Sequence, residues 1–165
     1  MSVIREKHDG TVPGVLDNDR GRANVRLWLR LLSCTMVVEK RLKRRFSDRF
    51  DTTLPRFDVL AALDRHPDGM TMGALSKSLL VSNGNVTALV QTLIRDGSAT
   101  LASSPGDRRT SIVALTPVGR TRFEMLAAAH HGWIDNWLGG LDGHERVSLY
   151  GLLGKLKHSI AEDHP

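Results

Sequence analysis

A mainly α-helical protein with one small β-hairpin is what the sequence predicts, and three observations predict it. Apolar residues recur at helical spacing through most of residues 22–160. Only residues 98–115 depart from that rhythm, reading as two short strands around the turn chemistry of Ser104-Pro105-Gly106-Asp107. Residues that start and stop helices stand where the periodic stretches begin and end.

The elements follow in order. Residues 1–21 mix charges with Gly10, Pro13 and Gly14 and read as a flexible N-terminal arm without the apolar run of a signal peptide. From about Arg22 to Phe50, Leu27, Leu31, Val38, Leu42 and Phe46 form an apolar stripe that Trp28, Leu32 and Met36 widen. A helix this long in a small protein suits reaching toward a partner subunit. Thr52-Thr53-Leu54-Pro55 ends it and begins another, since proline fits a first helical turn. Phe57, Val59, Leu60 and Leu63 carry that second helix to about His66, and Pro67-Asp68-Gly69 is a turn.

Thr71 can cap a helix from Met72 to about Leu80, with Leu75, Leu79 and Leu80 as its apolar face. After Val81-Ser82 a further helix runs from about Asn83 to Asp96, stopped by Gly97. Val86, Leu89, Val90, Leu93 and Ile94 form its inward face; Asn83, Asn85, Thr87, Ala88 and Gln91 face outward. Thr116 with Pro117 starts a helix to about Leu138, Gly139-Gly140 breaks it, and Asp142 can cap a last helix to about Ile160. Residues 161–165 are a tail.

Two short helices, a tight turn and a hairpin make a winged helix-turn-helix, whose second helix enters the major groove of DNA. Ser82, Asn83, Gly84, Asn85, Thr87, Ala88 and Gln91 are the candidate reading residues. Asn and Gln suit adenine, and Thr suits the thymine methyl. Asp107, Arg108 and Arg109 lie at the hairpin tip, where arginines suit the negative potential of a minor groove. A net charge of +5 agrees with a polyanionic partner.

Residues 107–116, Asp-Arg-Arg-Thr-Ser-Ile-Val-Ala-Leu-Thr, match the MarR-type pattern D-x-R-x5-L-T, with Pro117 and Gly119 after it. Leu75-Ser76, Val81-Ser82 and Val86-Thr87 match that family's helix-turn-helix, and the likeness runs from about Leu27 to Ile160. The chain thus resembles MarR family regulators. The resemblance implies one domain over residues 22–160, with dimerisation helices at 22–50 and 117–160 around a winged lobe at 55–115. It implies a homodimer on a palindromic operator, with Arg109 in the minor groove and Asp107 bracing the wing arginines. It also implies release from DNA by a small aromatic acid or its CoA thioester, bound between the dimer helices and the lobe, and hence a repressor. Many members carry arginines where this chain has Ser82-Asn83-Gly84-Asn85, so an A·T-leaning operator core is expected here.

Arg26 and Arg30 share a helix face and, with Trp28, are candidate ligand contacts. The stretches Leu27–Leu32 and Leu54–Gly69 are similar to regulators that answer to hydroxycinnamoyl-CoA thioesters, which adds Arg56. The run Lys40-Arg41-Leu42-Lys43-Arg44-Arg45 suits either phosphates or a solvated helix face.

The alternative is a thiol- or metal-sensing regulator of the same type. Against it, Cys34 lies near the apolar stripe and reads as a buried core thiol. His130 and His131 are adjacent, about 100° apart on a helix, and so do not converge on a metal. Trp133, Ile134 and Trp137 read as dimer core. A single cysteine precludes an intrachain disulfide and fits the cytoplasm. No apolar run approaches the roughly 18 residues of a membrane span. No nucleophile elbow, phosphate loop or paired carboxylates mark an enzyme, and no cofactor or metal ligand set is expected.

Overall fold

A computed structural model describes residues 13–104 and 107–162, with side chains described from 19 to 103 and from 110 to 162. The described residues form six helices and three strands. The chain divides into two compact units, Met1–Asp51 and Thr52–Pro165.

The first unit is one helix, α1, Pro13–Phe50. It begins nine positions before the expected Arg22, because Pro13 costs no hydrogen bond in a first turn and nothing after it breaks the helix. Of the expected arm, only residues 1–12 lie outside the described residues. The stripe is satisfied only toward its end. Leu42 and Phe46 are buried, whereas Leu27, Trp28, Leu29 and Met36 are exposed. Cys34 shares that exposure, which corrects the expectation of a buried thiol. Asp51 ends α1 in the left-handed region, with φ of 46°.

The second unit opens with α2, Leu54–Asp64, whose cap Thr53 accepts the Arg56 N–H. Phe57, Val59, Leu60, Ala62 and Leu63 are buried, as the spacing predicts. Gly69 turns the chain with φ of +83°, and a side chain there would press on Ile112 and the Val113 carbonyl. The next residues supply a strand that periodicity did not show. β1, Met70–Thr71, is too short to display a period, yet it pairs with β3, so the wing is a three-stranded sheet of order β1-β3-β2.

Thr71 caps α3, Met72–Leu79, and Ser82 caps α4, Asn83–Arg95. β2, Ala99–Ser104, and β3, Asp107–Leu115, are antiparallel, with Ala99 opposite Leu115 and Ser103 opposite Ser111. β3 begins three residues earlier than the sequence suggested. The backbones of Asp107, Arg108 and Arg109 therefore belong to the strand and not to a loop at the tip. Their side chains lie outside the described residues.

α5, Pro117–Leu138, and α6, Gly143–Glu162, complete the unit. Asp142 and Glu145 cap α6 reciprocally, each accepting the other's backbone N–H at 2.9 and 2.8 Å. Trp133 is buried within the single chain and Ile134 and Trp137 are half-buried, so Trp133 already has a core and is not held in reserve for a partner. No described helix is long and apolar enough to cross a membrane.

Candidate nucleic-acid interface

The site is built around α4. Val86, Val90 and Leu93 anchor its inner face, while Leu89 and Ile94 are half-buried. Every candidate reading residue on the other face, Asn83, Gly84, Asn85, Thr87, Ala88 and Gln91, is exposed, as is the cap Ser82. The structure thus brings together the seven positions proposed on this helix. The hydroxyls are partly committed. Ser82 Oγ accepts the Asn85 N–H at 3.5 Å, and Thr87 Oγ1 donates to the Asn83 carbonyl at 2.8 Å. Thr87 and Ala88, both exposed, each carry a methyl group on this face. The face therefore offers amides and methyls and carries no charge, and Gly84 sits in open space where a side chain would meet nothing.

The turn between α3 and α4 holds this helix in place. Ser76 Oγ donates to the Val81 carbonyl at 2.6 Å, and the Val81 N–H returns to the Ser76 carbonyl at 3.3 Å. Leu80 closes α3 in the left-handed region, with φ of 55°. It is 92% exposed, which corrects its place on the apolar face. A helical period assigns Leu80 inward only if the helix continues, and it stops one residue sooner. Sequence reasoning also missed Ser76 as a lock; a serine six residues before a helix cap is its only local signal.

A second junction joins α4 to the wing and to α5. Thr116 caps α5 by accepting the Gly119 N–H at 2.9 Å, and its hydroxyl donates to the Gly97 carbonyl at 2.6 Å. Its N–H bonds the Ser98 carbonyl at 3.1 Å. A Cβ on Gly119 would overlap that same carbonyl, so only glycine allows α5 to lie this close. Asp96 adds a brace, accepting the Ser98 N–H at 3.1 Å and pairing with Arg122 at 3.0 Å. The Leu115-Thr116-Pro117-Val118-Gly119 stretch is thus the mount that sets wing and reading helix relative to each other.

The ligand candidates divide between the units. Arg26, Trp28 and Arg30 are exposed on α1, and Arg56 is half-buried on α2. On an unbroken helix Trp28 points about 200° away from either arginine, so one small molecule on this α1 face meets the arginines or the indole but not both. In the basic run, Lys43 pairs with Glu39 at 2.6 Å and Arg44 with Asp48 at 3.3 Å. On α5, the His130 ring packs 4.9 Å from that of Phe57. Burial, and secondarily the neighbouring His131, lowers the His130 pKa below its ordinary value of 6.5.

A buried-core lobe with a bare amide helix and an adjoining β-wing defines a winged-helix protein. Comparison with known proteins agrees. The MarR family model matches residues 50–110. A MarR family transcriptional regulator from Silicibacter pomeroyi has a solved structure 34% identical to this chain, covering 86% of it and 98% of that protein, with a TM-score of 0.73. The transcriptional activatory protein BadR of Rhodopseudomonas palustris is 36% identical over 104 residues, which are 62% of this chain and 59% of BadR. FabT of Streptococcus pneumoniae, solved in complex with DNA, shares the fold at 23% identity, covering 84% of this chain and 98% of that one, with a TM-score of 0.71. The chain belongs to the MarR family of transcriptional regulators. It matches 59–63% of the length of its curated relatives.

Proposed function

We propose that the chain is a homodimeric, sequence-specific DNA-binding regulator, with α4 in the major groove and the wing, through Arg109, in the neighbouring minor groove. The outward face of α4 carries this reading. It is exposed throughout and uncharged, with the hydrogen-bonding amides of Asn83, Asn85 and Gln91 beside the methyls of Thr87 and Ala88. Amides read adenine and methyls meet thymine, so an A·T-leaning half-site is its complement. FabT, which shares the fold, is solved in complex with DNA, which supports a DNA partner for this chain. For the homodimer, the support is α6. It buries none of its side chains in the single chain and exposes Leu149, Leu153, Leu156 and Ile160 along one side.

We read the regulator as a repressor released by a small aromatic acid or its CoA thioester. BadR, an activator by its description, marks the opposite sign of control, and a promoter fusion in cells with and without the gene separates the two.

The test of DNA reading is selection of an operator from random duplexes, followed by titration at two salt concentrations. Asn85→Ala and Gln91→Ala each weaken the selected site by roughly ten- to hundredfold, on the order of 1–3 kcal/mol, with an unchanged thermal midpoint. Absence of any salt-sensitive affinity, or essential G·C pairs opposite α4, overturns the reading.

A further inference from the structure

The two units carry charge very unequally. Residues 1–51 hold twelve of the chain's 23 Lys and Arg and seven of its 18 Asp and Glu, whereas residues 52–165 hold eleven of each. The whole net charge of +5 therefore belongs to the unit of α1, and the winged unit is neutral. Within the winged unit, Arg120 and Arg122 are each held by an aspartate at 3.0 Å, and the outward face of α4 is uncharged. Affinity for a duplex, however, comes in large part from cations that neutralise phosphates and release counterions. The lobe has groups that can tell one sequence from another but no net field to draw in a polyanion.

On α1 the cations are ordered. Arg22, Arg26 and Arg30 stand four residues apart, about 6 Å along the axis, and Lys40 returns to the azimuth of Arg22. All four are exposed, and none pairs with a carboxylate among the described residues. Arg26 and Arg30 have no acid within a turn, because residues 20–38 contain none. Like charges at this spacing repel and weaken a helix. The basic run that follows is different, since Glu39 holds Lys43 at 2.6 Å and Asp48 holds Arg44 at 3.3 Å. The stripe centres on Arg26, about 140° around the helix from Leu31 and about 160° from Leu42, so a surface docked on those leucines leaves it uncovered.

We propose that Arg22, Arg26, Arg30 and Lys40 form a second DNA-binding surface, one that holds duplex phosphates without reading sequence. Guanidinium groups suit phosphate oxygens, and each along this stripe is spaced to meet a separate phosphate. Contacts to phosphate carry no sequence information, so any duplex segment serves. The inference rests on the DNA-binding function proposed above and divides it: α4 discriminates and α1 attracts. It assigns Arg26 and Arg30 to a polymer of phosphates and not to a small effector.

Titration of the full chain with the selected operator and with a scrambled duplex of equal length, from about 50 to 200 mM salt, tests the stripe. Arg22→Gln, Arg26→Gln and Arg30→Gln, combined, lower affinity for both duplexes by the same factor, tenfold or more at the lowest salt. They also reduce the slope of log K against log salt by two or more, since each neutralised phosphate contributes about 0.9. The corresponding triple lysine variant keeps the wild-type slope. Both variants stay dimeric by light scattering, keep the wild-type thermal midpoint and select the same operator. An unchanged slope in the glutamine variant overturns the proposal, as does a loss confined to the operator. So does a glutamine variant that is monomeric, which places the arginines in a subunit contact. Loss of binding to phosphatidylglycerol vesicles with duplex affinity intact also overturns it and assigns the stripe to a lipid surface. Asn85→Ala separates the two surfaces, because it loses preference for the operator and keeps the scrambled duplex. If that preference survives Asn85→Ala while the glutamine variant still weakens both duplexes, the reading by α4 fails and the α1 surface stands.

Discussion

Helices α4 and α6 belong to the same unit and are both largely exposed, but they expose opposite chemistry. α4 turns its apolar residues into the lobe and shows amides, hydroxyl-bearing residues and small methyls. α6 turns nothing inward and shows Val147, Tyr150, Leu152 and a stripe of leucines. One chain completes the packing of α4, so its outer face is free to be selected for a polar partner. One chain does not complete the packing of α6. An apolar helix left bare in water is incomplete without another apolar surface, and a second copy of the same helix supplies one. The two helices therefore differ in what a substitution should do: on α6 it should change assembly, and on α4 it should change recognition alone.

The largest effect is expected where that contrast is attacked on α6. Leu153→Glu with Leu156→Glu places two carboxylates in the stripe. Burying unpaired charge at a dimer contact costs on the order of 4 kcal/mol, or roughly a thousandfold in the dimer constant. Light scattering during size exclusion should show a monomer at concentrations where wild type is a dimer. A variant that stays dimeric would remove α6 from the interface and break the comparison.

A smaller loss is expected at the mount of α4. Gly119→Ala forces a methyl into the Ser98 carbonyl, and relief requires α5 or the base of the wing to move. Overpacking of this kind costs about 3 kcal/mol, a fall of roughly 6–12 °C in Tm for a chain of this size. Calorimetry reads it directly. Operator affinity should fall with the loss of alignment even at temperatures where the variant remains folded, because Thr116 and Asp96 hold the α4 end through the same junction.

How much of this was legible in the sequence follows the range of the forces involved. Helices α2 to α5, the caps at Thr71 and Thr116, and the inward face of α4 are set by neighbours within a few residues, and spacing revealed them; the caps at Thr53 and Ser82 emerged only with the structure. The exposed reading face was legible for the same reason, as the complement of that inward face. What spacing could not show depends on distant partners. β1 exists because β3 lies beside it. Cys34 and Trp133 carry similar apolar character, but only the fold decides that one is exposed and the other buried. Leu80 turned on one residue of helix length.

The smallest effect concerns the packing that makes the lobe self-sufficient, and it is read by pH. His130 on α5 lies against Phe57 of α2, which also stacks at 5.9 Å on Phe123. Burial disfavours the imidazolium, and a second histidine beside it adds repulsion, so the folded chain takes up this proton less readily than the unfolded chain. The unfolded state then binds more protons as the pH falls, and stability must fall with it. The contribution of His130 is complete above its ordinary value of 6.5 and drains away as the pH drops from there toward the lowered folded value. Urea midpoints measured from about pH 8 to pH 5 should show this slope, and His130→Gln should flatten it. The monomeric α6 variant should keep the slope, because the α2–α5 contact lies inside one chain. If the slope vanished with the dimer, the lobe would depend on its partner, and the contrast between a finished α4 and an unfinished α6 would no longer hold.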